Sequence, residues 1–211
     1  MNYQGIIFDL DGVICSTDHF HYKAWKTLAD SLDIPFDEII NNRLRGISRM
    51  ESLNIVLEKS PVSYTEEEKL QLAEQKNTVY RELLRQMSPA DLSDTVRHTL
   101  DTLRSRGLKM AIGSSSKNTP TILNRIGLGE YFDAVVDGSC ITRSKPDPEV
   151  FLLAAQRLGL TPDVCMVVED AHAGIEAAVS GGFDCAGMGD ARTDERADYH
   201  LDDFSDLLKI V

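Results

Sequence analysis

Five short apolar runs separated by helical patterns constrain this chain more than any other feature of its sequence. They are Gly5-Ile6-Ile7-Phe8, Lys109-Met110-Ala111-Ile112-Gly113, Ala134-Val135-Val136-Asp137, Val164-Cys165-Met166-Val167-Val168 and Cys185-Ala186-Gly187-Met188. Each is too short for a helix and is apolar at successive rather than alternate positions, the mark of a strand covered on both faces. Helices are expected between them. One runs from Thr95 to Arg106 and stops at Gly107; another opens at Thr119-Pro120 and closes at Gly127. A third opens at Asp147-Pro148 and carries Val150, Phe151, Ala154, Ala155 and Leu158 as one apolar stripe before Gly159. This alternation predicts an α/β fold, a parallel sheet with helices on both faces, whose ligands bind beyond the C-terminal strand ends.

Residues 16–88 break the rhythm. They read as helices alone: Asp18 to Leu32, Asp37 to Asn42, Ser48 to Lys59 and Glu66 to Met87, two of them opened by capping boxes at Ser48-Arg49-Met50-Glu51 and Thr65-Glu66-Glu67-Glu68. The expected organisation is a core built from residues 1–15 and 89–211, with an all-helical cap domain of residues 16–88 inserted after the first strand. At 211 residues the chain can bury a sizeable core. Its net charge of −12 disfavours nucleic acid and anionic membrane as partners. Cys15, Cys140, Cys165 and Cys185 lie far apart with no CxxC pair, which suits reduced thiols in a cytoplasmic protein. No stretch approaches the roughly 18 apolar residues of a membrane span, and Asp9 and Asp11 interrupt what could pass for a signal peptide. A monomer is expected.

The chemistry-bearing residues sit at the ends of the apolar runs. Phe8-Asp9-Leu10-Asp11-Gly12 releases two carboxylates from a strand into a glycine turn. One carboxylate can attack phosphorus and form an aspartyl phosphate, and its neighbour can move the proton; both could instead merely cap the turn. Val167-Val168-Glu169-Asp170 supplies two more acids at another strand end. Together the two acidic ends could give Mg²⁺ the few hard oxygens it prefers, while Asp170 could equally cap the helix that follows. Lys145, in Ser144-Lys145-Pro146-Asp147-Pro148, can neutralise charge on a transferring phosphoryl group. Ser114-Ser115-Ser116-Lys117-Asn118 leaves a strand and enters a helix, where hydroxyls and amides can hold an anion.

Taken in chain order, Asp9 and Asp11, then Ser114, then Lys145-Pro146, then Glu169-Asp170, those four motifs resemble the haloacid dehalogenase superfamily over almost the whole chain. The resemblance implies a Rossmann-like core, Asp9 as nucleophile, Asp11 as general acid and base, and Ser114 and Lys145 as phosphate binders. It also implies Mg²⁺ held by Asp9, Asp11, Glu169 and Asp170, with Asp11 ligating through its backbone carbonyl. Thr17, His21-Tyr22-Lys23-Ala24-Trp25, Arg45-Gly46-Ile47-Ser48-Arg49, Lys76-Asn77 and the core run Ser116-Lys117-Asn118 resemble the β-phosphoglucomutase subfamily. That implies a small sugar-phosphate substrate touched by Thr17, His21, Trp25, Gly46, Ser48, Arg49, Lys76, Asn77, Ser116, Lys117 and Asn118. Arg49 would hold the phosphate far from the chemistry, and His21 and Lys76 would set Asp11 and the sugar hydroxyls. Trp25, at helical spacing from Phe20, Leu28 and Leu32, also reads as cap core, and Arg43, Arg45 and Arg49 as a solvated basic face. The implied reaction interconverts β-D-glucose 1-phosphate and glucose 6-phosphate; hydrolysis of a small sugar phosphate is the alternative. Cys15-Ser16 ahead of Thr17, where relatives carry an acid, and Ser93-Asp94, where they carry Pro-Gly, depart from the pattern.

Overall fold

The computed structural model describes residues 3–211. Six strands, β1 (Gly5–Phe8), β2 (Lys109–Gly113), β3 (Ala134–Val136), β4 (Cys165–Glu169), β5 (Asp184–Gly187) and β6 (Tyr199–His200), form one sheet in the order β3-β2-β1-β4-β5-β6. Every pairing is parallel. Alternate strand residues feed two different cores, which is why the strands read as unbroken apolar runs. Ile6, Phe8, Met110, Ile112, Met166 and Val168 pack on one face with α5 (Asp94–Ser105), α6 (Thr119–Arg125) and the 3₁₀ segment Phe204–Lys209. Ile7, Ala111, Cys165, Val167 and Cys185 pack on the other with α7 (Glu149–Leu158) and α8 (His172–Ser180). The expected α/β fold is thus a three-layer, doubly wound sheet.

Local chemistry moves the element ends by a residue or two. Ser93 accepts from the Val96 amide, so α5 begins at Asp94. Asp147 accepts from the Glu149 amide and holds the chain outside α7 until Glu149. Asp137 accepts from the Ser139 amide at 2.8 Å, which turns the chain and ends β3 at Val136.

Between β1 and β2 lie α1 (Asp18–Ser31), α2 (Glu38–Asn42), α3 (Arg49–Leu57) and α4 (Glu66–Leu84). Both expected capping boxes form, at Ser48–Glu51 and Thr65–Glu68. Trp25, Leu28, Ile34, Phe36, Leu53, Val56 and Leu72 make a separate apolar cluster within this helical block. Phe20 and Ala24 of α1 and Tyr80 and Leu84 of α4 instead join the sheet-side core. The block is therefore seated on the sheet by the base of its two longest helices. Among the described residues no helix is long and apolar enough to cross a membrane. The four cysteines are unpaired, and only Cys140 is not buried.

Candidate active site

Register places the chemistry. Phe8 pairs with Ile112 on one side and Val168 on the other. The next residues, Asp9, Gly113-Ser114 and Glu169, therefore leave the sheet abreast, and the Asp9 amide donates to Val168 O at 2.9 Å. From β1 the chain winds out to β3 in one direction and, from β4, out to β6 in the other, which opens a crevice at the strand ends where the order reverses.

Lys145 enters this crevice from the loop ahead of α7, joined to Pro146 by a cis peptide. Its buried ammonium donates to Asp9 Oδ1 and Glu169 Oε1, each at 2.5 Å, and lies 4.7 Å from the Phe151 ring centre. Burial opposes the charge, yet the two carboxylates outweigh it and hold the lysine above its ordinary pKa. Asp9 is pushed up to about 7, chiefly by burial, with Lys145 opposing and Glu169 and Asp11 adding to the rise. Burial and the neighbouring carboxylates push Asp170 up to about 8. One ammonium does not balance these acids. Asp9, Glu169 and Asp170 each bring an oxygen within 4.8 Å of the others, a crowded and under-neutralised set that fits a hard divalent cation. Glu169 already holds Lys145 with Oε1, and its Oε2 accepts from the amides of Asp170 and Ala171 at 2.9 and 3.0 Å. Asp9 Oδ2 and the Asp170 carboxylate accept nothing among the described residues and are the freest donors. Asp170 does not cap α8; that position is Ala171, without a side-chain bond. Its carboxyl instead packs on Gly12, where φ is +81° and an added Cβ would lie 1.9 Å from Oδ2.

The Asp11 carboxylate lies outside that trio. Its Oδ1 accepts from the Thr17 amide at 3.1 Å and from the Thr17 hydroxyl, and its Oδ2 is 3.7 Å from His21 Nε2. Burial alone would raise its pKa, but His21 and Thr17 hold it below the usual carboxylate value. Thr17, expected against the sugar, is fully buried behind Asp11, where its hydroxyl also accepts from Tyr80 at 3.0 Å. Its side-chain polar contacts are with Asp11 and Tyr80, and it does not line the cavity. Lys76 Nζ lies 2.9 Å from His21 Nδ1 and sits 4.5 and 4.7 Å from the ring centres of Trp25 and Tyr80. An ammonium donating to Nδ1 leaves the His21 proton on Nε2, aimed at Asp11. Burial, then the charge of Arg49, pushes Lys76 down to about 7; burial and Lys76 lower His21 in turn.

One cavity of about 920 Å³ collects nearly all the residues singled out in the sequence. Asp9, Asp11, Ser114, Ser116, Lys117, Asn118, Lys145, Glu169 and Asp170 line its sheet side; His21, Trp25, Gly46, Ser48, Arg49, Lys76 and Asn77 line its helical side; Thr17 is the exception. Trp25 is 2% exposed within the helical cluster and is also among the residues that line the cavity. The three arginines separate. Arg43 pairs with Glu58 on the surface, Arg45 bridges Asp18 and Asp190, and Arg49 turns into the cavity with Glu74 at 3.6 Å. The serine loop is knit by its own hydroxyls: Ser114 Oγ accepts from the Ser116 amide and Ser116 Oγ from the Asn118 amide, both at 3.2 Å. Asn118 reaches across to donate to Asn77 Oδ1 at 3.0 Å. Gly46, at φ +74°, comes so near the sheet side that a Cβ there would sit 2.9 Å from that of Ala171. Sequence reasoning did not single out Tyr80, Glu74 or Asp190. Tyr80 lay within a helical pattern and the other two among many surface acids; the fold brings Tyr80 and Glu74 to the cavity wall and Asp190 to Arg45.

A family model described as haloacid dehalogenase-like hydrolase matches residues 3–182. A β-phosphoglucomutase of Bacillus subtilis is 41% identical over 97% of this chain and 91% of its own length. A phosphorylated carbohydrates phosphatase of Thermotoga maritima is 33% identical over 86% of this chain and 82% of its own. The crystal structure of a β-phosphoglucomutase from Clostridium difficile superposes with a TM-score of 0.90 at 38% identity, covering 97% of this chain and 93% of that one.

Proposed function

Because this chain belongs to the haloacid dehalogenase-like hydrolase family, we propose that it is a sugar-phosphate phosphotransferase that interconverts β-D-glucose 1-phosphate and glucose 6-phosphate. The observation that carries this reading is one shared cavity lined by Asp9 and Lys145 on its sheet side and by Arg49 and Lys76 on its helical side. A phosphatase needs cations at one phosphate only; a mutase must hold a bisphosphate in two orientations. Residues 16–88 then act as the cap and the rest as the catalytic core.

Phosphate resides on the Asp9 carboxylate. The 6-hydroxyl of β-glucose 1-phosphate attacks that phosphorus, the bond from phosphorus to the Asp9 oxygen breaks, and Asp11 takes the hydroxyl proton. The resulting β-glucose 1,6-bisphosphate turns over, and Asp9 attacks its 1-phosphate. Asp11 returns the proton to the departing sugar oxygen, which leaves glucose 6-phosphate and the phosphoenzyme. Lys145 and the Ser114 hydroxyl hold the transferring phosphoryl oxygens, while Thr17 and His21 keep Asp11 ionised and aimed. Mg²⁺ would be held by Asp9 and Asp170, with Glu169 and the Asp11 carbonyl in support, and when bound supplies positive charge to the phosphoryl oxygens. Ser48, Asn77, Ser116, Lys117 and Asn118 line the space left for the sugar.

The second reading, hydrolysis with water as acceptor, is favoured by the Thermotoga relative's name. Incubation of β-glucose 1-phosphate with Mg²⁺ and a trace of the bisphosphate separates them. The mutase yields glucose 6-phosphate with little free phosphate, and a phosphatase yields phosphate and glucose. Asp9→Asn should abolish both products, and chelator should do the same to the wild-type protein. Turnover in Asp9→Asn free of wild-type protein would remove Asp9 from the mechanism.

A further inference from the structure

We propose that Glu74 is a specificity-determining residue, a resident counter-ion on Arg49 that the second phosphate of a substrate must displace. The inference rests on the reading of Arg49 as the distal phosphate anchor and goes beyond it. Glu74 Oε2 lies 3.6 Å from Arg49 Nη1, and both side chains line the cavity. At that distance the pair is an ionic contact without a hydrogen bond, so it holds the guanidinium loosely. The arginine is 27% exposed and the glutamate 62%, which sets the acid at the mouth and the cation further in. Other acids near this end are committed elsewhere. Glu51 accepts from the Ser48 amide at 2.9 Å in the capping box, Glu58 is taken by Arg43, and Asp18 by Arg45.

The competition has a definite sense. Behind Arg49 lies Lys76, close enough for the charge of Arg49 to disfavour its own. One loosely held carboxylate offers a single negative charge, whereas a phosphate monoester carries nearly two and presents three acceptor oxygens. A dianion therefore displaces Glu74; a neutral sugar arm gains nothing by doing so. Because Glu74 is part of the cap end alone, it should alter how tightly the second phosphate is held without altering chemistry at Asp9.

Glu74→Gln keeps the size and the exposed position while removing the charge. KM for glucose 6-phosphate and the inhibition constant of inorganic phosphate at the cap end should fall about 3–10-fold. KM for acetyl phosphate, too short to span the cavity, should fall far less. In an Arg49→Ala background the same substitution should change nothing further, because the counter-ion has lost its partner. Equal KM values for wild type and Glu74→Gln, or an effect that persists without Arg49, would overturn the proposal. If Arg49→Ala itself leaves KM for glucose 6-phosphate unchanged, the distal anchor fails and Glu74's role with it. A raised KM in Arg49→Ala beside an unaltered Glu74→Gln removes Glu74 alone.

Discussion

Lys76 shows how far a single buried side chain can depend on its neighbours. Its ordinary pKa is 10.5; burial and Arg49 bring it down to about 7, so it changes charge within the range in which such proteins are assayed. Below about 7 it is an ammonium and, if Arg49 anchors the distal phosphate, would add its charge there; above that value the charge is lost. The substrate phosphate is already dianionic there, its second pKa being about 6. KM for glucose 6-phosphate should therefore rise on the order of tenfold between pH 6.5 and 8.5, and Lys76→Met should flatten the profile at the high value. A wild-type KM independent of pH would mean that Lys76 stays in one protonation state throughout. At this scale the sequence was most legible for residues at or just past a strand end, such as Asp9, Ser114 and Glu169, because the strand end fixes their direction. Thr17 lies behind Asp11 rather than on the cavity wall, because its surroundings include Tyr80, 63 positions further along the chain. No local pattern reveals that pairing.

At the scale of elements, the turn after β1 does as much as the strand. Gly12 is held at φ +81° with the Asp170 carboxyl occupying the place of a side chain, so this turn and the end of β4 are fitted to each other. Gly12→Ala must strain the turn by about 1–2 kcal/mol and push Asp170 aside. Mg²⁺ affinity should drop about 10–100-fold, read by activity against metal concentration, with a lowered denaturation midpoint. Unchanged metal affinity in a destabilised variant would show that Asp170 does not serve the cation. Strands and long helices were legible because burial on both faces, amphipathic stripes and capping boxes are local properties of sequence. β6, two residues long, has no such signal and exists only because β5 offers it an edge.

In the molecule as a whole, the helical block is fastened over the crevice by few contacts. Arg45 reaches Asp190 at 2.6 Å, Asn118 reaches Asn77, and Gly46 rests on Ala171. The Arg45–Asp190 pair is exposed, so it is worth about 0.2–1 kcal/mol and weakens in salt. Asp190→Asn should let the cap open about two- to fivefold more often and admit water to the phosphoenzyme. Free phosphate released per glucose 6-phosphate formed should rise by that factor, and high salt should mimic it in the wild type. An unaltered ratio would make the pair incidental to closure. The insertion itself was legible as a break in the strand–helix rhythm. Its seating was not, because Phe20, Ala24, Tyr80 and Leu84 look like any helix interior until the sheet is underneath them.

The central place of β1 has a consequence for how the chain is made. Gly5–Phe8 leaves the ribosome ahead of both its partners, Lys109–Gly113 and Cys165–Glu169, which follow about 100 and 160 residues later. At about 5–20 residues per second the strand waits roughly 5–30 s with both edges bare. Over the first part of that interval the chain produces α1 to α4, whose pairings are local and form on their own timescale of microseconds. The apolar bases of α1 and α4, later seated against the sheet, are then the earliest native cover available to the strand. During synthesis the block that finally roofs the cavity can serve as an intramolecular holdase for the strand that leads into Asp9.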